Sequence, residues 1–194
     1  MGDANDVMVV VDADLGSIVA CTSALAGSAA SGTLRAWGTI QVRSEWSELL
    51  THFGGEWIAN KSTAGLESDS AASLSIELLS ATLAAAERGI DRVIWPVHAG
   101  VVGKPSEMNL DAASGHVDRA LLVTRLVAMD ADQHRCASII VETPYADFSD
   151  RQLAELALDM GAPFRKAPWW GVETSENYRR WQGVFDAIGS TVVH

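Results

Sequence analysis

Cysteine is scarce in this chain of 194 residues: Cys21 and Cys136 are the only two, and they stand far apart beside apolar or small residues. Because the sequence has no Cys-x-x-Cys pair and so few thiols, a zinc site built from cysteines is excluded by count. This usage is typical of a reduced protein whose thiols are buried. We therefore expect no structural zinc.

Basic residues are also few, with 14 Lys and Arg against 25 Asp and Glu and a formal net charge of −11. Such an acidic chain repels phosphate backbones, so nucleic acid is not an expected partner. No apolar run is long enough to span a membrane, and the polar, acidic stretch from Met1 to Asp6 does not resemble a signal peptide. We expect a cytoplasmic protein without a membrane partner.

The length and composition predict one globular domain covering residues 1–194. Hydrophobic residues make up 48% of the chain and charged residues 20%, which allows an ample core. The sequence contains no internal repeat, no low-complexity tract and no linker that would separate a second domain. One hydrophobic core is therefore expected.

The stretch from 138 to 170 contains the clearest local signals. A buried strand at 138–141 is followed by a turn at Thr143-Pro144 and by a helix that Ser149 and Gln152 would open as a capping box. One apolar helical face follows, and Gly161 with Pro163 ends the helix. That face consists of Leu153, Leu156, Ala157 and Met160. The stretch is typical of a strand–loop–helix unit.

Similar alternation along the chain predicts an α/β fold with a doubly wound parallel sheet. The predicted strands are 7–11, 34–42, 91–97 and 138–141. The predicted helices are 17–25, 45–53, 68–88, 117–131, 149–160 and 173–188, with loops at 56–67 and 98–115. Ligands of such sheets bind beyond the carboxyl ends of the strands, at the point where the strand order reverses. This rule selects residues 12–17, the loop from His98 and residues 144–147.

A specific resemblance runs through the C-terminal half. Thr143-Pro144, Asp147, Ser149 and the segment 161–164 (Gly-Ala-Pro-Phe), with a Trp after it, resemble the C-terminal signature of the queuosine-pathway 7-cyano-7-deazaguanine synthases. Those enzymes belong to the PP-loop ATP pyrophosphatase superfamily. The resemblance implies a Rossmann-like fold of the adenine nucleotide alpha hydrolase type, with ATP and Mg²⁺ as the cofactors to consider and a homodimer as the partner to consider.

The family's ATP-binding loop is altered in this chain. That loop reads Ser-Gly-Gly-x-Asp-Ser after the first strand, and its glycines let backbone N–H groups cradle pyrophosphate. The aligned residues here are Asp12, Ala13, Asp14, Leu15, Gly16 and Ser17, of which Leu15 and Ser17 match the pattern. Two carboxylates therefore stand where phosphate would bind. Two further nucleotide-site candidates are His98 and Asp147.

Two other family features are missing. Trp169-Trp170-Gly171 stands in place of Trp-Ser-Cys, and residues 173–189 contain no cysteine, so zinc is not expected there. Tyr178 and Trp181 are candidates for packing that replaces the metal. The Arg-Asn pair expected before the long helix is also absent, since Leu74-Ser75 occupies that region. These losses indicate a degenerate relative.

The first strand admits a second interpretation. An apolar strand that ends in Asp-x-Asp is how haloacid-dehalogenase-type phosphatases present a nucleophile and an acid/base with magnesium. The residues that follow here, Leu15-Gly16, differ from the usual pattern of that family. Asp12 and Asp14 are nevertheless the best Mg²⁺ candidates in the chain, although acidic strand ends are often only solvating or capping.

Structural roles compete with functional ones at the other candidate residues. His98 is a base or a structural loop histidine, and Ser17 is a phosphate contact or a helix N-cap. Asp147 is a family site residue or closes a turn. Trp169 and Trp170 form a wall for a purine or a plug that fills the place of the lost metal.

Three function hypotheses follow. The first is a non-catalytic paralogue of the deazaguanine synthases that keeps a small-molecule or nucleotide pocket. The second is a structural or interaction subunit that uses the dimer interface of the family. The third is a residual enzyme, either an ATP-dependent ligase or a magnesium-dependent phosphatase acting through Asp12 and Asp14.

Overall fold

The computed structural model describes residues 6–27, 32–58, 71–130 and 138–189. The strands in these ranges are β1 (Val7–Val10), β2 (Leu34–Trp37), β3 (Glu56–Trp57), β4 (Arg92–Ile94), β5 (Gly100–Val101), β6 (Lys104–Met108) and β7 (Ile140–Glu142). Five of them form one sheet in the order β3-β2-β1-β4-β7, in which every neighbouring pair is parallel. The order reverses between β1 and β4, which makes that gap the switch point.

Helices cover both faces of the sheet. They are α1 (Leu15–Gly27), α2 (Ile40–Glu45), α3 (Ser47–His52), α4 (Ala71–Arg88), α5 (Leu110–Met129), α6 (Asp150–Asp159) and α7 (Glu176–Ala187), with a short 3-10 helix at Phe164–Lys166. Alternate side chains of β1 point to opposite faces. Val7 and Val9 pack with α1, α3, α6 and α7, whereas Met8 and Val10 pack with α4 and α5. The predicted α/β class, with a parallel sheet between helices, is confirmed.

The predicted strand 34–42 is wrong beyond Trp37. The Thr39 hydroxyl accepts a hydrogen bond from the Val42 N–H, so Thr39 caps a new helix at the point where the strand was expected to continue. The predicted helix 45–53 is likewise divided, since α2 and α3 meet at the buried Trp46. A local capping contact here outweighs the strand propensity of the segment.

Two predicted loops contain regular structure. β5 and β6 pair as an antiparallel hairpin within the predicted loop 98–115, and Asn109 then caps α5 through the Ala112 N–H. β3 lies in the predicted loop 56–67 and pairs with β2. Residues 59–67 of that loop, the first three residues of the predicted helix 68–88 and Cys136 lie outside the described residues.

The predicted helix and its ends are confirmed in α6, but the strand before it is not fully buried, since β7 lies at the edge of the sheet and leaves Ile140 exposed. The Ser149 side chain accepts from the Gln152 N–H while the Gln152 side chain accepts from the Ser149 N–H. Gly161 has a φ of 62°, the left-handed conformation that suits the residue after a helix. Beyond it, Trp170 packs edge-on against Phe164, Tyr178 and Phe185. Trp170 and Tyr178 thus pack against the hydrophobic core on the α7 side of the sheet.

Within the described parts of the chain, no helix has both the length and the apolar character needed to cross a membrane.

Candidate functional site

The carboxyl ends of β1 and β4 bring together a compact group of charged side chains, here called the strand-end cluster. It consists of Asp12, Asp14, His98, Asp150 and Arg180. The first two follow β1, His98 follows β4, Asp150 is the first residue of α6 and Arg180 lies on α7. The cluster therefore occupies the switch point of the sheet, where ligands of doubly wound proteins bind.

The loop after β1 is closed by its own hydrogen bonds. The Asp12 N–H donates to Ser17 Oγ at 3.0 Å, and the Ser17 hydroxyl donates back to Asp12 Oδ1 at 2.6 Å. The Asp14 N–H also donates to Asp12 Oδ1, at 3.0 Å, and the Leu15 N–H donates to Asp14 Oδ1 at 2.7 Å. Three backbone donors of this loop are thus bound to side chains of the loop itself.

The start of α1 shows that Ser17 is not an N-cap and that Gly16 has no room for a side chain. Because α1 begins at Leu15, Ser17 lies within its first turn, and the N-cap interpretation of Ser17 is wrong. A Cβ atom at Gly16 would lie 2.4 Å from the Pro96 carbonyl oxygen, so a side chain there would displace the end of β4. The aspartate that the family pattern has at this position does not fit. Leu15 is fully buried in the core.

Arg180 is the centre of the cluster. Its Nε lies 2.8 Å from Asp150 Oδ2 and its Nη2 lies 2.6 Å from Asp150 Oδ1, a bidentate pair. The Asp150 carboxylate is only 1% exposed. Nη2 also approaches the Gly100 carbonyl oxygen at 3.4 Å, and Nη1 lies 3.7 Å from Asp14 Oδ2. One guanidinium therefore serves two carboxylates from different elements.

His98 lies inside the cluster. Its Nε2 lies 3.1 Å from Asp150 Oδ1 and 2.9 Å from Arg180 Nη2, and its Nδ1 lies 3.9 Å from Asp14 Oδ2. The side chain is 7% exposed, and its ring lies 5.6 Å from that of Trp181, centroid to centroid. These partners make His98 a buried member of a polar network rather than a solvated loop residue.

Contacts from α7 hold the β1 loop in place. The Trp181 indole N–H donates to Asp14 Oδ1, and Asn177 Nδ2 donates to the Ala13 carbonyl oxygen at 2.6 Å. Trp181 is fully buried. Side chains of α7 thus hold the loop after β1 in place.

The electrostatics of the cluster follow from these contacts. Burial would raise the pKa of Asp150, but the hydrogen bonds from His98 and Arg180 and the charge of Arg180 outweigh it, so that the pKa is lowered. Burial opposes the charge of Arg180, yet the hydrogen bonds to Asp150 and the charge of Asp14 raise its pKa. Asp12 as a residue is exposed, but its carboxylate loses hydration among the loop atoms and faces Asp14, and both effects raise its pKa.

The structure brings five of the predicted site residues to one place, namely Asp12, Asp14, Gly16, Ser17 and His98. Asp147 does not join them: it is exposed on the turn after β7. There it lines a recess of about 510 Å³ together with Thr143, Ser114 and Asp118 of α5, among others.

Sequence reasoning missed four residues of the site: Asp150, Asn177, Arg180 and Trp181. Asp150 carried a signal, since an acidic residue directly after the N-cap Ser149 favours a helix N-terminus and follows a strand end. Arg180 carried none, because it stands 82 positions from His98, and only the fold brings the two together. Trp181 was expected to pack but not to bind a carboxylate.

The loop after β1 does not fit the pyrophosphate of the ATP that the family resemblance implies. The N–H groups of Asp12, Asp14 and Leu15 already donate to side chains within residues 12–17, so they are not free to cradle pyrophosphate. Across residues 6–27, 32–58, 71–130 and 138–189, no group of three or more His, Cys, Asp or Glu side chains is arranged to hold a metal ion.

Comparison with known proteins adds no family. No family model matches the chain, and no curated protein matches it either.

Proposed function

We propose that this chain is a non-catalytic relative of the 7-cyano-7-deazaguanine synthases that keeps a small-molecule pocket at the switch point but does not bind ATP in the loop after β1. The observation that carries the proposal is the set of hydrogen bonds by which Asp12, Asp14 and Leu15 donate their N–H groups to side chains of that same loop. The PP-loop type of fold is part of the proposal, supported by the parallel sheet with its switch point between β1 and β4.

Electrostatics support the loss of nucleotide binding. A phosphate-binding loop offers free N–H groups and a positive potential at a helix N-terminus. In this chain the N-terminus of α1 faces the carboxylates of Asp12 and Asp14 instead. A triphosphate placed there would meet two negative charges at contact distance, where repulsion is strongest.

Thermal unfolding tests the proposal, with ATP or AMP added alone and together with Mg²⁺, followed by calorimetry. A ligand in large excess over its dissociation constant raises the midpoint by mass action. We expect no shift with nucleotide. A shift that requires nucleotide would contradict the proposal and favour a residual ATP-dependent ligase, whereas a shift with Mg²⁺ alone would favour the phosphatase interpretation of Asp12 and Asp14.

A second candidate function, an interaction subunit that pairs with another copy of the chain, is favoured by α5. This helix buries Ala120, Val123 and Val127 in the core, yet its outward side also carries apolar residues. Exposed examples are Leu110, Leu121, Leu122, Leu126 and Met129, the last with 81% of its surface exposed. A helix that is apolar on both sides is typical of an interface. Sedimentation equilibrium tests this candidate: a monomer at all concentrations would contradict it.

A further inference from the structure

A cavity of about 590 Å³ lies between the β5–β6 hairpin and α7, directly beside Arg180. This volume is within the range of pockets that hold small molecules, roughly 300–1,000 Å³. The residues of α7 that line it lie on one helical face, at positions 176, 177, 179, 180, 183 and 184. The hairpin supplies the opposite wall. Arg180 therefore belongs both to the strand-end cluster at the switch point and to the wall of this cavity.

The lining changes character along α7. The first turn contributes Glu176 and Asn177, the next turn contributes Arg179 and Arg180, and the third contributes Gly183 and Val184. Successive turns of an α-helix are about 5.4 Å apart. An acidic end, a basic middle and an apolar end thus follow one another within the length of a small molecule.

The polar groups of this wall retain hydrogen-bonding capacity. Asn177 Nδ2 is used by the Ala13 carbonyl, which leaves Oδ1 as an acceptor. Asp150 occupies Nε and Nη2 of Arg180, while the 3.7 Å from Nη1 to Asp14 Oδ2 is too long for a hydrogen bond. Within the described residues, neither Glu176 nor Arg179 takes part in an ion pair of 4.0 Å or less.

At the apolar end of the cavity, the glycine at position 183 leaves space that a larger residue would fill. Gly183 lies in the middle of α7, where glycine is less favourable than alanine, and a Cβ added there would meet no protein atom within 4 Å. Val102 of the hairpin turn lines the same cavity and is 70% exposed, and Pro105 lies beside it. Gly183, Val102 and Pro105 thus give this part of the cavity an apolar lining.

We propose that this cavity binds a free α-amino acid with an apolar side chain. The ammonium group pairs with Glu176 and Asn177 Oδ1, and the carboxylate pairs with Arg179 and Nη1 of Arg180. The apolar side chain lies against the gap at Gly183. Since the lining carries charges of both signs, a zwitterion matches it better than a simple anion does. The inference rests on the proposed function, because it names the ligand class of the pocket that the non-catalytic relative keeps.

Three related probes test the charge recognition. L-leucine carries both charges, 4-methylpentanoate lacks the ammonium group, and L-leucinamide lacks the carboxylate. NMR spectra should show saturable shifts of the Gly103, Gly183 and Val184 amide signals with leucine. Each of the other probes should bind about tenfold more weakly or worse, because each leaves a charged group of the cavity unpaired. Equal binding of 4-methylpentanoate, or no shift with leucine, would overturn the proposal.

A pair of glycine substitutions locates the site. Gly183→Ala places a methyl group in the cavity and should weaken the binding of leucine while the protein stays folded. Gly115→Ala is the matched control, because Gly115 also lies within a helix, α5, has nothing within 4 Å of an added Cβ and does not line the cavity. We expect Gly115→Ala to bind leucine as the unmodified protein does. Unchanged binding by Gly183→Ala would place the site elsewhere and overturn the proposal.

Calorimetry with ATP on the same samples separates the two proposals. Binding of ATP contradicts the proposed function whatever leucine does. If neither leucine nor ATP binds, only the assignment of the cavity is overturned and the proposed function stands.

Discussion

The carboxyl edge of the sheet ends in two contrasting ways. Beyond β1 and β4, Asp14 and Asp150 are bound by Arg180, Trp181 and His98. Beyond β7, Asp147 stands exposed at an open recess, although it precedes the 1%-exposed Asp150 by only three residues. The acidic residues that lie beside α7 are thus held by its side chains, whereas Asp147 is exposed.

Replacement of Arg180 should have the largest effect. Arg180→Met leaves the buried Asp150 without its bidentate partner, and we expect the free energy of unfolding to fall by about 3 kcal/mol. Denaturant unfolding measures this change. Arg179→Met is the matched control, since Arg179 is the exposed neighbour on the same helix and should have no measurable effect on stability. Equal effects of the two changes would mean that the cluster does not stabilise the fold.

Asp150→Asn should have the next largest effect and should depend on pH. The pKa of Asp150 in the folded chain lies below its ordinary value of 3.8, so the unfolded chain binds the proton first as the pH falls. The ionised carboxylate therefore contributes stability that is fully present above about pH 5 and is lost as the pH falls through the folded-state pKa. We expect Asp150→Asn to cost about 2 kcal/mol at pH 7. The difference between variant and unmodified protein should shrink in acid, and a difference that stays constant with pH would contradict this account.

Gly16→Ala tests how tightly the β1 loop is packed against the end of β4. Since the added methyl group would overlap the Pro96 carbonyl oxygen, we expect destabilisation by about 1–2 kcal/mol. Gly27→Ala in the same helix is the control, because a Cβ there meets nothing within 4 Å. Thermal unfolding of both variants should show a lowered midpoint for Gly16→Ala alone. If both midpoints fell, close packing at Gly16 would not be the cause.

Asp147→Asn should have the smallest effect. The residue is exposed, so loss of its charge should leave the free energy of unfolding at pH 7 unchanged. Comparison of Asp147→Asn with Asp150→Asn measures how much more an aspartate paired by α7 contributes to stability than an exposed one does. A loss of stability at Asp147 that matched that at Asp150 would remove the distinction.

Local chemistry made some elements predictable. The capping box at Ser149 and the glycine at Gly161 fixed both ends of α6, and the continuous apolar run of β1 indicated a strand buried on both faces. The hairpin β5–β6 was missed because its sequence, rich in glycine and polar residues, is typical of a loop. Strand 34–42 was overextended because the cap at Thr39 was not recognised.

The candidate site was predictable only in part, for a physical reason. The rule that ligands bind beyond strand ends predicted that Asp12, Asp14 and His98 lie in one region, and the structure brings these three residues together. The residues that neutralise them come from α6 and α7, and no periodicity or motif connects Arg180 with Asp150 before the chain folds. The sequence therefore indicated that charged side chains lie beyond the strand ends, but not that residues of α6 and α7 pair with them.

The most direct test of the closed β1 loop is an NMR titration of the unmodified protein with ATP and Mg²⁺, following the amide signals of Asp14, Leu15 and Ser17. The account predicts that these signals do not move, because the Asp14 and Leu15 amides already donate to Asp12 and Asp14 carboxylate oxygens. Saturable shifts centred on these three residues would show that the loop opens to admit phosphate, and would contradict the account.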